Sequence, residues 1–221
     1  MNLSKAQKAD LEWRDGAPVS VRFDDPYFSA NDGLAEARHV FLGGNGLPER
    51  FVDGFHIAEL GFGSGLNLLA AWQSWEAAGM TSPLRFTSFE AYPMDLGEMT
   101  KALAVWPELA EYAERLLAGG MQKRTDTLEL NVIIGDARAT LPKWADEADA
   151  WFLDGFSPAK NPELWSPDLL QAVGAHTAPN GTFATYTAAG HVRRALIDAG
   201  FNVTRPKGHG HKRHMSAGVL L

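Results

Sequence analysis

From about Phe55 onward, short apolar runs alternate with stretches of helical periodicity, and this alternation limits the possible folds more than any other feature of the chain. Strands separated by helices return in the same direction, so the pattern predicts an α/β fold with a mostly parallel sheet covered on both faces. Strands are predicted at His56–Glu59, Arg85–Glu90, Leu128–Ile134, Ala150–Leu153, Gly181–Thr187, Asn202–Arg205 and Ser216–Leu221. Helices are predicted near Leu66–Ala78, Asp95–Ala118, Pro167–His176 and His191–Ala199. The second of these should break near Trp106-Pro107, because proline lacks the N–H that an interior turn needs. The last two strands are joined by a short Gly-rich, basic connection with no room for a crossover helix, so they should pair antiparallel.

At 221 residues, one large α/β core fits comfortably and a second full domain would be cramped. The sheet domain is assigned to residues 55–221. Residues 1–54 read as an irregular arm over the ligand edge of the sheet, with turn signals at Asp15-Gly, Asp32-Gly and Gly43-Gly-Asn-Gly between Tyr27, Phe28 and Phe41. A surface strap that only covers apolar sheet is the other reading of this arm. No run of about eighteen apolar residues occurs, and Met1–Asp10 has no apolar signal segment, so a soluble cytoplasmic protein is expected. The absence of cysteine excludes disulfides, thiolate metal sites and cysteine nucleophiles.

His56-Ile-Ala-Glu-Leu-Gly-Phe-Gly-Ser-Gly-Leu-Asn67 reads as strand, glycine turn and helix start, where open α/β sheets bind ligands. Leu66 stands where the nicotinamide fingerprint needs glycine or alanine, and the Gly-Lys-Ser/Thr ending of a phosphate loop is absent. Both phosphate readings therefore lose ground. Glu59, two residues before Gly61, would repel phosphate but can attract an ammonium directly or through water. Glu90 ends the second strand, where a carboxylate can accept from both ribose hydroxyls. Asp136 ends the third, where it can accept from an adenine amino group. The ligand-binding set is thus Glu59, Gly61, Phe62, Gly63, Gly65, Asn67, Glu90, Asp136, Ala137 and Asp154.

Trp151-Phe-Leu-Asp-Gly-Phe-Ser-Pro-Ala-Lys-Asn-Pro162 leaves the fourth strand as a Pro-rich loop beside this site. Asp154 can orient an attacking N–H, and Phe156 can form a wall with cation–π attraction to a positive centre. These two are the catalytic candidates. The formal net charge of −7 disfavours indiscriminate nucleic-acid binding. A local patch runs the other way: Arg205-Pro-Lys-Gly-His-Gly-His-Lys-Arg-His214 carries no acid, and Arg193 and Arg194 lie near the same predicted sheet edge. A solvated hairpin is the bland reading of that patch.

Six parallel strands with one reversed terminal strand match the Rossmann-like class I methyltransferase arrangement. The segments Phe23-Asp-Asp-Pro-Tyr-Phe-Ser29, Val40-Phe-Leu-Gly-Gly-Asn45, Glu59–Asn67, Phe89-Glu90, Trp151–Pro162, Gly190-His-Val-Arg-Arg194 and Lys207–Arg213 together resemble the methyltransferase domain of the bifunctional tRNA 5-methylaminomethyl-2-thiouridine biosynthesis family and its stand-alone relatives. The resemblance implies S-adenosylmethionine as methyl donor, and transfer to the amine of 5-aminomethyl-2-thiouridine at the tRNA wobble position. It implies donor-binding roles for the glycine turn, Glu90 and Asp136, and an active-site role for Asp154. Arg193, Arg194, Lys207, Lys212 and Arg213 are the candidate contacts to the tRNA anticodon region. Bifunctional members continue into a flavin-dependent oxidoreductase domain that has no counterpart here; no flavin and no metal are expected in this chain. The aminomethyl substrate would come from a separate flavin-dependent enzyme or from a missing domain, and the sequence does not choose between a stand-alone enzyme and an excised domain. The alternatives are a methyltransferase acting on a small-molecule or protein amine, and a donor-sensing module without turnover.

Overall fold

The computed structural model describes residues 8–29 and 32–221. The reading of Met1–Asp10 as no export segment falls mostly on residues 1–7, outside the described residues.

The expected arm contains an antiparallel meander, β1 (Leu11–Arg14), β2 (Ala17–Ser20) and β3 (Asp25–Pro26), followed by α1 (Gly33–Ala37) and a π-helical turn at Arg38–Gly43. It is therefore more regular than its turn-rich sequence implied. The remaining chain alternates as expected. It comprises β4 (His56–Leu60), α2 (Leu66–Ala77), β5 (Leu84–Glu90), α3 (Leu96–Leu103), α4 (Ala110–Leu117), β6 (Gln122–Arg124), β7 (Leu128–Ile134) and α5 (Ala137–Thr140). Then follow β8 (Ala148–Leu153), α6 (Pro167–Ala175), β9 (Thr177–Thr185), α7 (Gly190–Asp198), β10 (Phe201–Thr204) and β11 (Ser216–Leu220).

The sheet order is β10-β11-β9-β8-β4-β5-β7-β6. Strands β7, β5, β4, β8 and β9 run parallel, and β11 lies antiparallel between β9 and β10. That reproduces six strands of one sense and a reversed last strand. An eighth strand, β6, pairs antiparallel with β7 and forms the edge of the sheet. Its residues Gln122-Lys-Arg124 carry no apolar alternation, so periodicity had nothing to detect. Strand β9 also starts at Thr177 and not Gly181, passing through Asn180 at φ 61° with a register irregularity against β8.

The long predicted helix splits at Trp106-Pro107 into α3 and α4, and Asp95 and Glu98 cap α3 reciprocally. Helix α2 is buried along most of its length, and Trp72 and Trp75 are wholly inaccessible. It is enclosed because Phe28, Leu34, Val40 and Phe41 of the arm join its side of the core. The opposite face of the sheet packs Trp151 and Phe183 against Leu170 of α6 and Leu196 of α7. These two layers hold the carboxyl ends of β4, β5, β7 and β8 at one rim, under the arm.

Candidate active site

The turn from β4 into α2 forms the floor of a cavity of about 770 Å³. Gly61 and Gly63 have φ of 87° and 52°, conformations that side-chain-bearing residues rarely adopt. A Cβ on Gly61 would lie 3.1 Å from the Asp154 carbonyl oxygen, and one on Gly63 would lie 3.2 Å from Tyr27. The turn therefore presents backbone to the cavity with the loop after β8 and the arm pressed closely against it. Gly65 caps α2 from just behind, while Phe62 and Asn67 line the cavity.

Three carboxylates converge here. Glu90 accepts from the backbone N–H of Gly63 at 2.9 Å and of Tyr92 at 2.7 Å, which locks the end of β5 onto the glycine turn. Burial raises its pKa, and these N–H donors oppose the rise. Asp154 accepts from Gly155 N–H and, at 2.8 Å, from the Asn67 amide. Desolvation pushes its carboxyl up to about 6, against the effect of those two hydrogen bonds. The same Asn67 amide donates to Glu59 at 3.0 Å, and Ser88 Oγ donates to the other Glu59 oxygen at 2.7 Å. Glu59 is completely buried, and burial raises its pKa well above the usual carboxylate range.

Glu59 is absent from the cavity lining and shares the Asn67 amide with Asp154. Glu59 stands one layer behind the cavity wall, and Asn67 carries its influence to Asp154. All donors to these three acids are neutral groups. A cluster of acids hydrogen-bonded by neutral groups alone, beside backbone-lined space, suits a ligand carrying positive charge. S-adenosylmethionine, with an ammonium and a sulfonium, has that character. Among the described residues, no group of three or more His, Asp or Glu is placed to hold a metal ion.

Asp136 caps α5 at the rim, and Ala137 lines the cavity beside it. Asp136 is held below its usual pKa by Arg138, whose guanidinium lies 2.6 Å away, so an adenine amino group would share this carboxylate with an arginine. Phe156 stacks on Phe23 at 4.8 Å and meets Tyr27 edge-on at 4.9 Å. Its loop is pinned by the arm: Asp25 accepts from Ser157 N–H at 2.8 Å and pairs with Lys160 at 3.2 Å.

Of the basic candidates, Lys207 and Arg213 are exposed on the β10–β11 connection, and Arg194 is exposed on α7. Arg193 donates to the Ala188 carbonyl. Lys212 is exposed as well, but it also pairs with Glu36 and lines the cavity. The structure also brings in Tyr27, Glu36 and Tyr186, absent from the sequence-derived set. Tyr186 follows the end of β9 and donates to the Gly155 carbonyl at 2.8 Å, so the strand-end rule that picked out Glu90, Asp136 and Asp154 also applied to it.

Residues 99–220 match the family model described as S-adenosyl-L-methionine-dependent methyltransferase. The chain is 44% identical over 232 residues to the tRNA 5-methylaminomethyl-2-thiouridine biosynthesis bifunctional protein MnmC of Methylobacillus flagellatus, covering 99% of this chain and 36% of the relative. The protein of the same name from Pseudomonas aeruginosa is 45% identical over 233 residues, again covering 36% of the relative. The chain thus spans little more than a third of these relatives. The crystal structure of MNMC2 from Aquifex aeolicus superposes with a TM-score of 0.81 at 26% identity, covering 99% of this chain and 72% of that one. A precorrin-6y C5,15-methyltransferase from Geobacter metallireducens shares the fold, with a TM-score of 0.55 at 14% identity.

Proposed function

Because this chain belongs to the family of S-adenosyl-L-methionine-dependent methyltransferases, we propose that it methylates the amine of 5-aminomethyl-2-thiouridine at the tRNA wobble position, giving 5-methylaminomethyl-2-thiouridine. The observation that carries this reading is the meeting of a backbone-lined glycine turn and Asp154 in one cavity, at whose edge the Lys207–Arg213 connection lies. The names of the relatives support the choice of tRNA and of this nucleoside.

In this reading the glycine turn and Asn67 hold the amino-acid part of the donor, Glu90 its ribose and Asp136 its adenine. When bound, S-adenosylmethionine supplies an electrophilic methyl group on a positively charged sulfur. Asp154 accepts an N–H of the acceptor amine and so aims the nitrogen lone pair. Phe156, braced by Phe23 and Tyr27, limits where that nitrogen can sit. The amine proton leaves to water or through Asp154, whose elevated pKa suits it to take up a proton near neutrality. No covalent enzyme intermediate is needed, and without cysteine the thiolate route used for uridine carbon 5 is closed.

Arg193, Arg194, Lys207 and Arg213 are assigned to the tRNA backbone. The aminomethyl substrate must come from a reaction that uncovers a primary amine on the wobble base, by a partner enzyme or by the further region that the longer relatives possess. The net charge of −7 favours the alternative, a small-molecule or protein amine as acceptor. Transfer of labelled methyl to aminomethyl-bearing tRNA, set against transfer to the free nucleoside and to protein, separates the readings. Equal rates on tRNA and free nucleoside would favour the alternative.

A further inference from the structure

Lys212 belongs by sequence to a basic connection and its side chain is 49% exposed, yet it also lines the cavity. It pairs with Glu36 of α1 and lies 4.8 Å from the ring centre of Tyr186. The connection is tied to the arm at two further points, His209 to Asp32 at 2.8 Å and the Lys207 carbonyl to His39 at 2.9 Å. Lys207, His211, Lys212 and Arg213 are all exposed, and of these four Lys212 alone also lines the cavity that holds Asp154.

We propose, on the amine reading above, that Lys212 acts as a positioning residue which keeps the acceptor amine neutral, with Glu36 as its tether. An amine beside Asp154 sits in surroundings that favour its protonated form: the carboxylates of Asp154, Asp25 and Glu36, and the aromatic faces of Tyr186, Tyr27 and Phe156. The ammonium has no lone pair and cannot accept a methyl group. Asp25 adds to this field, since its charge acts on Tyr186 even though Lys160 pairs with it, whereas Asp32 is engaged by His209. Arg138 and Lys160, which also line the cavity, are paired with Asp136 and Asp25, and Arg22 lies over the Phe23 and Tyr92 rings. Lys212 therefore opposes a second cation beside Asp154, with a strength reduced by its 49% exposure to solvent. The N–H bond of the incoming ammonium breaks heterolytically, the electron pair stays on nitrogen, and the proton passes to water before transfer. Glu36 holds Lys212 in place and moderates its field.

The test is the single-turnover methylation rate against pH, at saturating enzyme and donor, on aminomethyl-bearing tRNA. Lys212→Met should move the acid limb up by about one pH unit, with the wild-type rate regained at alkaline pH. Glu36→Gln should move it down, and Lys212→Arg should leave it in place. The Lys212→Met shift should persist in an Asp154→Asn background, which removes that carboxyl's own titration. An acid limb unmoved by Lys212→Met, or one that vanishes with Asp154→Asn, would overturn the proposal while leaving the amine reading intact. So would a uniform rate loss accompanied by a shallower salt dependence of tRNA binding, the mark of a phosphate contact. A wild-type enzyme that transfers no methyl to this tRNA would overturn both. If Lys212→Met fails to fold, the downward shift in Glu36→Gln decides, and its absence counts against the proposal.

Discussion

On the proposed reading most of the chemistry turns on Asp154, and its surroundings set two expectations. Asp154→Asn keeps one acceptor oxygen but presents an N–H₂ to either Gly155 or Asn67, both of which donate to the native carboxylate. Asp154→Ala removes the contact entirely. Turnover should fall in the order wild type, Asn, Ala, with tRNA affinity nearly constant; single-turnover rates at full donor occupancy measure this. Wild-type rates in the alanine variant would move the orienting role to backbone carbonyls of the same loop. The second expectation concerns protons. With the carboxyl raised to about 6, part of the free enzyme is protonated there at pH 6, whereas a bound cation favours the ionised form. Donor binding should therefore release up to about half a proton near pH 6 and almost none by pH 8. Calorimetry in buffers of differing ionisation enthalpy reads this directly, and proton uptake would contradict it. The folded-state sign agrees: a carboxyl raised on folding favours the fold at low pH, and that contribution is lost as pH rises through about 6.

Helices α2 and α4 and strand β7 meet at Glu76, which accepts from Arg115, Tyr112 and Thr127. The Arg115 guanidinium, then the two hydroxyls, hold the Glu76 carboxyl at about 2 against the opposing effect of burial. A depressed carboxyl stabilises the fold above its unfolded pKa and loses that effect as pH falls. Glu76→Gln should therefore cost about 1 to 2 kcal/mol at pH 7, a figure reduced for partial solvent screening. The difference from wild type should shrink as pH drops from about 5 toward 2, and denaturant titrations across that range check it. None of this junction was visible in the sequence, because its partners are set by packing between distant elements. What was legible followed from local chemistry. The break at Pro107, the glycine turn and the reversed β11 each rest on a backbone constraint that one segment imposes alone. Glu59 shows the limit: its spacing from Gly61 was plain, but its burial behind Asn67 depends on Ser88 of the neighbouring strand. Glu36 and Tyr27 were missed for the same reason, since only the folding of the arm over the rim brings them to the cavity.

The assembled protein joins a net negative charge to a basic edge, and this combination shapes how it should meet RNA. Reversing the charges of Lys207 and Arg213, both exposed, should weaken tRNA binding and flatten its dependence on salt while leaving donor binding unchanged. Filter binding over a range of salt concentrations gives the slope, and an unchanged slope would remove this connection from the tRNA footprint. Among the described residues, no helix is long and apolar enough to cross a membrane. This chain spans 36% of the length of the bifunctional relatives, and on the proposed reading another reaction supplies the aminomethyl group. The decisive measurement is incubation with labelled S-adenosylmethionine and tRNA from cells lacking this activity, followed by nucleoside mass spectrometry. The expected result is label in 5-methylaminomethyl-2-thiouridine, formed at the expense of 5-aminomethyl-2-thiouridine. Label in any other nucleoside, or none in tRNA while the donor is bound, would contradict the proposed reaction.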